Sequence, residues 1–185
     1  MDTDEDNKII AQILSGDQQA YAYLVNKYKG PVYNLVYRMT GHHQETDDLA
    51  QEIFIRTYAS LKKYDINRNF FSWLYSIALN VLRNYQKKRK PTQIATEKTI
   101  FQNQEVGEPH NPEVIVDRME QSRHLAAKIQ TLPDRQREAV VLRYYQDLAF
   151  KDIAKILDIS LSTAKMRVYR GLEKLADLLK LEEES

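Results

Sequence analysis

Cysteine is absent from all 185 residues, so disulfides and thiolate zinc sites are excluded; a reduced cytosolic setting is compatible with this. Glycine is scarce, at five residues, and no glycine-rich phosphate loop occurs. Long hydrophobic runs are missing as well. The most apolar stretch, FFSWLYSIAL from Phe70 to Leu79, is broken by serines and falls far short of the roughly 18 residues of a membrane span. The start, MDTDEDNK, is too acidic for a signal or transit peptide. Neither sign of charge is in excess: 27 Lys and Arg stand against 26 Asp and Glu. No Ser–His–Asp arrangement suggests itself, and His42, His43 and Glu45 lack a further ligand at useful spacing. The expectation is no enzymatic activity, no cofactor, no metal, no small-molecule substrate and no direct membrane insertion, in a setting compatible with the cytoplasm.

What is present is helical period in almost every segment, without convincing strand alternation, so an all-α fold is expected. A short helix covers Lys8 to Leu14 and stops at SGD. Asp17 caps the next, which carries Ala20, Tyr21, Leu24, Val25 and Tyr28 at helical spacing. Gly30–Pro31 interrupts or kinks it, and Gly41 ends it. ETDDLAQEIFIRTYASLKKYD reads as one helix, with Leu49, Ile53, Tyr58 and Leu61 among its apolar positions. After DINRN a helix runs from Phe70 to Lys90 and ends before Pro91. From Pro91 to Pro112 the chain is polar, with Gly107, Pro109 and Pro112, and reads as a flexible linker. Helical period returns at Glu113. Helices follow over Asp134 to Tyr145, Leu148 to Leu157 and Leu161 to Leu179. The organisation expected is two small helical domains, 1–90 and 113–185, joined by the linker 91–112.

In DLAFKDIAKILDISLSTAKMRVYRGLEKLADLL, Ile153, Ala154 and Leu157 line one face of a helix. Asp158-Ile159-Ser160 is a short connection with Ile159 as an apolar plug. Leu161, Ala164, Val168, Leu172 and Leu175 form the inward stripe of a second helix. This is a helix-turn-helix, whose second helix offers its outer face to the major groove. Thr163, Lys165, Met166, Arg167, Tyr169 and Arg170 lie on that face. Cations there meet phosphates, and arginine matches a guanine edge. A solvated basic face on a structural bundle is the competing account; the connection, the stripe and the cations together favour DNA. Nearer the N-terminus, Glu45, Asp47, Asp48 and Glu52 oppose only Arg56, whereas NVLRNYQKKRK gathers Arg83, Lys87, Lys88, Arg89 and Lys90. Such a run follows a phosphate backbone or is a solvated helix end favoured by the macrodipole. Asn80 has the donors and acceptors of base-edge recognition, and Tyr64 offers a stacking face to an unpaired base.

GDQQAYAYLVNKY, DDLAQEIFIRTY, FFSWLYSIALNVLRNY, LPDRQREAVVLRYYQDL and DIAKILDISLSTAKMRVYRGLEKL, in this order and separation, resemble the two promoter-reading regions of bacterial sigma factors of the extracytoplasmic-function group. The resemblance covers nearly the whole chain outside the linker. It implies a factor that binds RNA polymerase core and directs promoter-specific initiation, with strand opening at the minus-ten element. By resemblance, Asp48, Leu49, Gln51, Glu52 and Ile55 dock on the coiled coil of the largest polymerase subunit. Tyr64, Asp65, Asn67, Arg68 and Asn69, with Asn80, Arg83, Asn84, Lys87 and Lys88, take the minus-ten element as separated, single-stranded non-template DNA around a flipped base. Arg143, Thr163, Lys165, Met166, Arg167, Tyr169 and Arg170 read the minus-thirty-five element as duplex, Arg167 on phosphate. The linker threads toward the RNA exit channel. Partners are then the core, promoter DNA and an anti-sigma factor.

The sequence also departs from the group. Ser160 and Ser162 stand where Pro and Gly are common, and Ala149 where a capping Ser is common; Asp147 and Ser160 are expected to cap instead. Met166 replaces a common Ser, so the minus-thirty-five sequence does not carry over. Trp73 is read as core. Two other classes compete: a stand-alone helix-turn-helix regulator on duplex operator DNA, and a helical interaction protein that no longer reads DNA.

Overall fold

The computed structural model describes residues 3–88 and 124–183, and these are helical with no strand among them. Arg89, Lys90, the linker Pro91 to Pro112 and the helical return at Glu113 lie outside the described residues. Helix α1 spans Thr3–Leu14. It starts earlier than the apolar period suggests, because Asp4, Glu5 and Asp6 fill its first turn, where carboxylates favour the positive end of the helix dipole. Buried Asp6 anchors it: Lys27 Nζ lies 2.6 Å from Asp6 Oδ1, and Tyr28 donates its hydroxyl to Oδ2. The Asp17 carboxylate accepts from the backbone N–H groups of Gln19 and Ala20 and caps a 3-10 turn, Gln18–Ala20.

Helix α2, Tyr21–Thr40, runs unbroken through Pro31. Of the expected interruption or kink, the interruption does not occur. A proline removes one hydrogen bond, but Leu24, Tyr28, Val32, Leu35 and Val36 are buried on both sides of it, and that packing keeps the helix continuous. Gly41 ends α2 in the left-handed region at φ 79°, with its N–H on the Tyr37 carbonyl at 2.8 Å. Helix α3 covers His43–Ser60, and a 3-10 turn, Leu61–Lys63, follows, so the single helix expected to continue to Asp65 divides there. Helix α4 is Phe70–Lys88, with Asn69 Oδ1 accepting from Ser72 N–H as its cap.

Residues 124–131 form α5, Asp134–Tyr144 α6, Phe150–Leu157 α7 and Leu161–Glu183 α8. Asp158 sits at φ 53°, half-buried Ile159 plugs the turn, and the Ser160 hydroxyl accepts from Thr163 N–H at 3.1 Å, capping α8 as expected. The expected Asp147 cap is not made. Asp147 is itself left-handed, at φ 48°, two residues ahead of the Ala149 cap position, which has no side-chain hydrogen bond. Ala164, Val168 and Leu175 are buried and Leu172 partly so, but Leu161 is exposed: the first residue of α8 projects past its neighbours, so the inward stripe begins at Ala164. Helices α6 and α8 cross closely at Gly171, where a Cβ would lie 2.6 Å from Val140 Cγ2.

The two helical units, α1–α4 and α5–α8, share one continuous hydrophobic core. Helix α4 packs on α7, and α2 on α6. Polar groups bind the seam. Tyr75 donates to Gln146 Oε1 at 2.7 Å, and Gln130 Nε2 to the Arg38 carbonyl at 2.7 Å. The Arg38 guanidinium lies 4.1 Å from the centre of the Tyr145 ring. Arg83 makes a two-pronged ion pair with Glu138, Nε and Nη2 each 2.7 Å from a carboxylate oxygen. The two helical units are as expected from the sequence; their shared seam is not something sequence period shows.

Candidate nucleic-acid and protein interfaces

The first surface is the loop between the 3-10 turn and α4 with the helix beyond it. Asp65, Asn67, Arg68 and Asn69 are exposed, and so is Ile66, which the sequence reading had not singled out. The Asp65 carboxylate accepts from Asn67 N–H and Asn67 Nδ2, each at 3.0 Å, which folds the loop tip into an Asx turn. Tyr64 is placed differently from the expectation. Its ring is buried, edge-on to Phe70 at 5.6 Å between centroids and 5.1 Å from Trp73, so it offers no open stacking face. The reason is its position directly after the turn, where its hydroxyl reaches back to Asn7 and to the Arg68 carbonyl. Burial pushes its phenol up to about 12, so at neutral pH it remains a hydrogen-bond donor. Trp73 packs against the core beside it, in line with the sequence reading.

Along α4, Asn80, Asn84, Lys87 and Lys88 are exposed, and their spacing of four, three and one puts them on one side of the helix. Arg83 does not join them freely. The Glu138 carboxylate holds it, and that hydrogen bond is the leading cause of its raised pKa. Sequence reasoning missed Glu138 because a lone glutamate in LPDRQREAVVLRYY carries no sign of burial. The carboxylate is 1% exposed and stands at one side of a cleft of about 550 Å³ that also receives Lys87, Arg135 and Arg167. Burial, then the charge of Arg135, lowers the pKa of Arg167, whose side chain is half-buried in this cleft.

The second surface is the outer side of α8. Lys165, Met166, Tyr169 and Arg170 are exposed, Tyr169 at 58%, and Thr163 is half-buried. The ring of Tyr169 lies 6.0 Å from Phe150 across the helix-turn-helix, which steadies its direction. Arg143 folds back onto its own turn: Nη1 donates to the Leu148 carbonyl at 3.2 Å, and the guanidinium lies 5.5 Å from the Phe150 ring.

The third surface lies on α3. Asp48, Gln51 and Ile55 are exposed, Ile55 at 61%, and Glu52 is half-exposed and pairs with Arg56 at 2.6 Å. Leu49 is buried with Ile53, because residues four apart share a helix face and that face meets the core. Leu49 therefore supports this surface from beneath. Among the described residues no group of three or more His, Cys, Asp or Glu is placed to hold a metal ion, and no helix is long and apolar enough to cross a membrane.

Two family descriptions match the chain: "Sigma-70 region 2" over residues 24–92 and "Sigma-70, region 4" over residues 122–175. They define the class, sigma-70-type transcription initiation factors. The chain is 40% identical over 179 residues to the "ECF RNA polymerase sigma factor SigW" of Bacillus subtilis (strain 168), covering 94% of this chain and 96% of that protein. It is 31% identical over 176 residues to the "ECF RNA polymerase sigma-E factor" of Escherichia coli (strain K12), covering 92% of each. Among solved structures, CnrH in complex with the cytosolic domain of CnrY matches with a TM-score of 0.70 at 26% identity, over 97% of this chain and 99% of that one. The chain belongs to the extracytoplasmic-function sigma factors, with their DNA-binding regions 2 and 4.

Proposed function

We propose that this chain binds RNA polymerase core and directs initiation at promoters whose minus-ten element it opens and whose minus-thirty-five element it reads as duplex. Residues 1–90 form the unit for core and minus-ten, 91–112 the linker, and 113–185 the unit for minus-thirty-five. Asp48, Gln51, Glu52 and Ile55 meet the core, with Leu49 beneath them. Asp65, Asn67, Arg68, Asn69, Asn80, Asn84, Lys87 and Lys88 take the separated strand. Lys165, Met166, Tyr169 and Arg170 enter the major groove, with Thr163 beside them, and Arg143 supports them through its turn. The carrying observation is the exposed set Lys165, Met166, Tyr169 and Arg170 on the second helix of a helix-turn-helix. Cations there supply backbone affinity, and Met166 and Tyr169 supply apolar contact that water would not favour.

The two elements are about 25 base pairs apart, roughly 85 Å of duplex at 3.4 Å per step. A compact body of this length has a radius of gyration of about 16 Å, so the closed arrangement does not span them. A linker of the proposed length, 91–112, would reach at most roughly 79 Å if fully extended, which with the widths of the two units covers that span. Promoter engagement therefore requires α1–α4 and α5–α8 to part, releasing Arg83 and Arg167 from the cleft to phosphate. A protein partner that holds the factor fits the same picture, as CnrH is found with the cytosolic domain of CnrY; an anti-sigma factor is the partner proposed.

The test is transcription from a randomised promoter library by purified core with and without the chain, with start sites sequenced. Starts that depend on the chain and share two spaced elements support the reading. Failure to direct core, together with binding of the free protein to a palindromic duplex, would make it a stand-alone regulator.

A further inference from the structure

Asn7 lies on α1, in a segment the sequence reading passed over as part of an acidic start. Its amide reaches the loop that precedes α4. Nδ2 donates to the Ile66 carbonyl at 2.9 Å, and Oδ1 accepts from the Tyr64 hydroxyl at 3.0 Å. That hydroxyl also donates to the Arg68 carbonyl, so its one proton is shared in a three-centre bond. One side chain, 57 to 59 residues away along the chain, thus fixes the backbone of the loop at Ile66 directly and at Arg68 through Tyr64. Its own base is firm, since the adjacent Asp6 is buried and bonded to Lys27 and Tyr28 of α2. The side chains of Asp65, Ile66, Asn67, Arg68 and Asn69 meanwhile remain exposed. The loop is held from behind and open in front.

We propose that Asn7 is a positioning residue for capture of the minus-ten strand. It never touches DNA. It fixes the carbonyls of Ile66 and Arg68, so the exposed edge of the loop is set before an unpaired base arrives. Without it, the loop must be ordered on binding, and the ordering entropy is subtracted from affinity and from discrimination between bases. The amide suits this task because it needs a donor and an acceptor at once, which neither aspartate nor alanine supplies. The proposal rests on the reading that this loop takes the separated strand.

The experiment uses holoenzyme assembled from core and full-length chain, with a fully randomised single-stranded DNA library selected on the wild type. Wild type, Asn7→Ala, Asn7→Asp and Tyr64→Phe are then compared on the selected strand and on its single-base variants. Asn7→Ala is expected to weaken the selected strand about tenfold and to flatten preference at one base position, with core affinity and upstream duplex binding unchanged. Asn7→Asp keeps an acceptor for Tyr64 but turns a carboxylate toward the Ile66 carbonyl, so it fails in the same way. Combining Asn7→Ala with Tyr64→Phe is expected to cost little more than Asn7→Ala alone, since both act on one network. If Asn7→Ala lowers the melting temperature but leaves base preference intact, its role is structural and the proposal is overturned. If wild-type holoenzyme itself selects no strand, the reading of the loop falls, and the proposal with it.

Discussion

Replacing Glu138 with glutamine tests the seam between the two units directly. The carboxylate is 1% exposed and receives two bonds of 2.7 Å from Arg83, whose side chain is 35% exposed. Removing one partner of a fully buried pair costs about 3–5 kcal/mol, but water reaches the exposed third of Arg83 and lowers that figure. Glutamine keeps the shape and one acceptor, and the loss is then that of charge assistance on two hydrogen bonds. Against this, Arg135 and Arg167 share the cleft and would face Arg83 with one less anion among them. A cost of about 2 kcal/mol results, roughly thirtyfold in the closing equilibrium. The absence of native cysteine makes the assay simple. Cysteines introduced at exposed Lys62 and Lys174 place one dye on each unit. Energy transfer in free wild-type protein should be high and fall with added salt. In Glu138→Gln it should be lower at every salt concentration, with a melting curve that separates into two transitions. Exchanging the pair, Arg83→Glu with Glu138→Arg, should restore part of the transfer. Equal transfer in wild type and Glu138→Gln would refute the assignment of this pair as a principal tie between the units.

Gly171→Ala should destabilise the C-terminal unit by about 1–2 kcal/mol in a thermal melt, because overpacking against Val140 outweighs roughly 1 kcal/mol of helix propensity; Val140→Ala in the same chain should recover part of it. Asp48→Arg with Glu52→Arg should abolish capture of polymerase core in a pull-down while leaving helicity unchanged, since both side chains lie on the solvent side of α3. Arg170→Ala should cost about 1–3 kcal/mol and relax preference at one minus-thirty-five position if the contact is to a base; uniform weakening with a salt slope smaller by about one would mark a phosphate contact instead.

Helical period located α2, α4, α6 and α8, because burial of one face leaves a mark in sequence whatever it packs against. It did not announce the seam. Yet α4 carried a signal for it. Phe70, Phe71, Leu74, Tyr75, Ala78, Leu79, Val81 and Leu82 are all buried, a stripe wider than a helix at the edge of a small unit needs. That width is what a helix requires when it packs on α2 and α3 of its own unit and on α7 of the other. The misjudged ends have a common cause as well. Pro31, Asp147 and Leu161 were read by local preference, and at each the packing or turn geometry around it prevailed.

The candidate surfaces were legible to the extent that helix geometry separates inside from outside. Asp48, Gln51, Glu52 and Ile55 fall at intervals of three, one and three, which puts them on one side of α3; Leu49 belongs with Thr46 and Ile53 on the other, and all three are buried. The distinction was available from spacing and was blurred by treating a motif as a set of equal contacts. Arg83 and Tyr64 are a different case. Each has the chemistry of a nucleic-acid ligand, but each is engaged by a residue more than fifty positions away, Glu138 for one and Asn7 for the other. Local period carries no information about such partners. The same holds for Asn7 itself, a polar residue on an acidic helix whose hydrogen bonds exist only once α1 lies against the loop at Tyr64 and Ile66. A sequence motif therefore gives the inventory of a binding loop, while the side chains that hold the loop in shape come from elements the motif does not include.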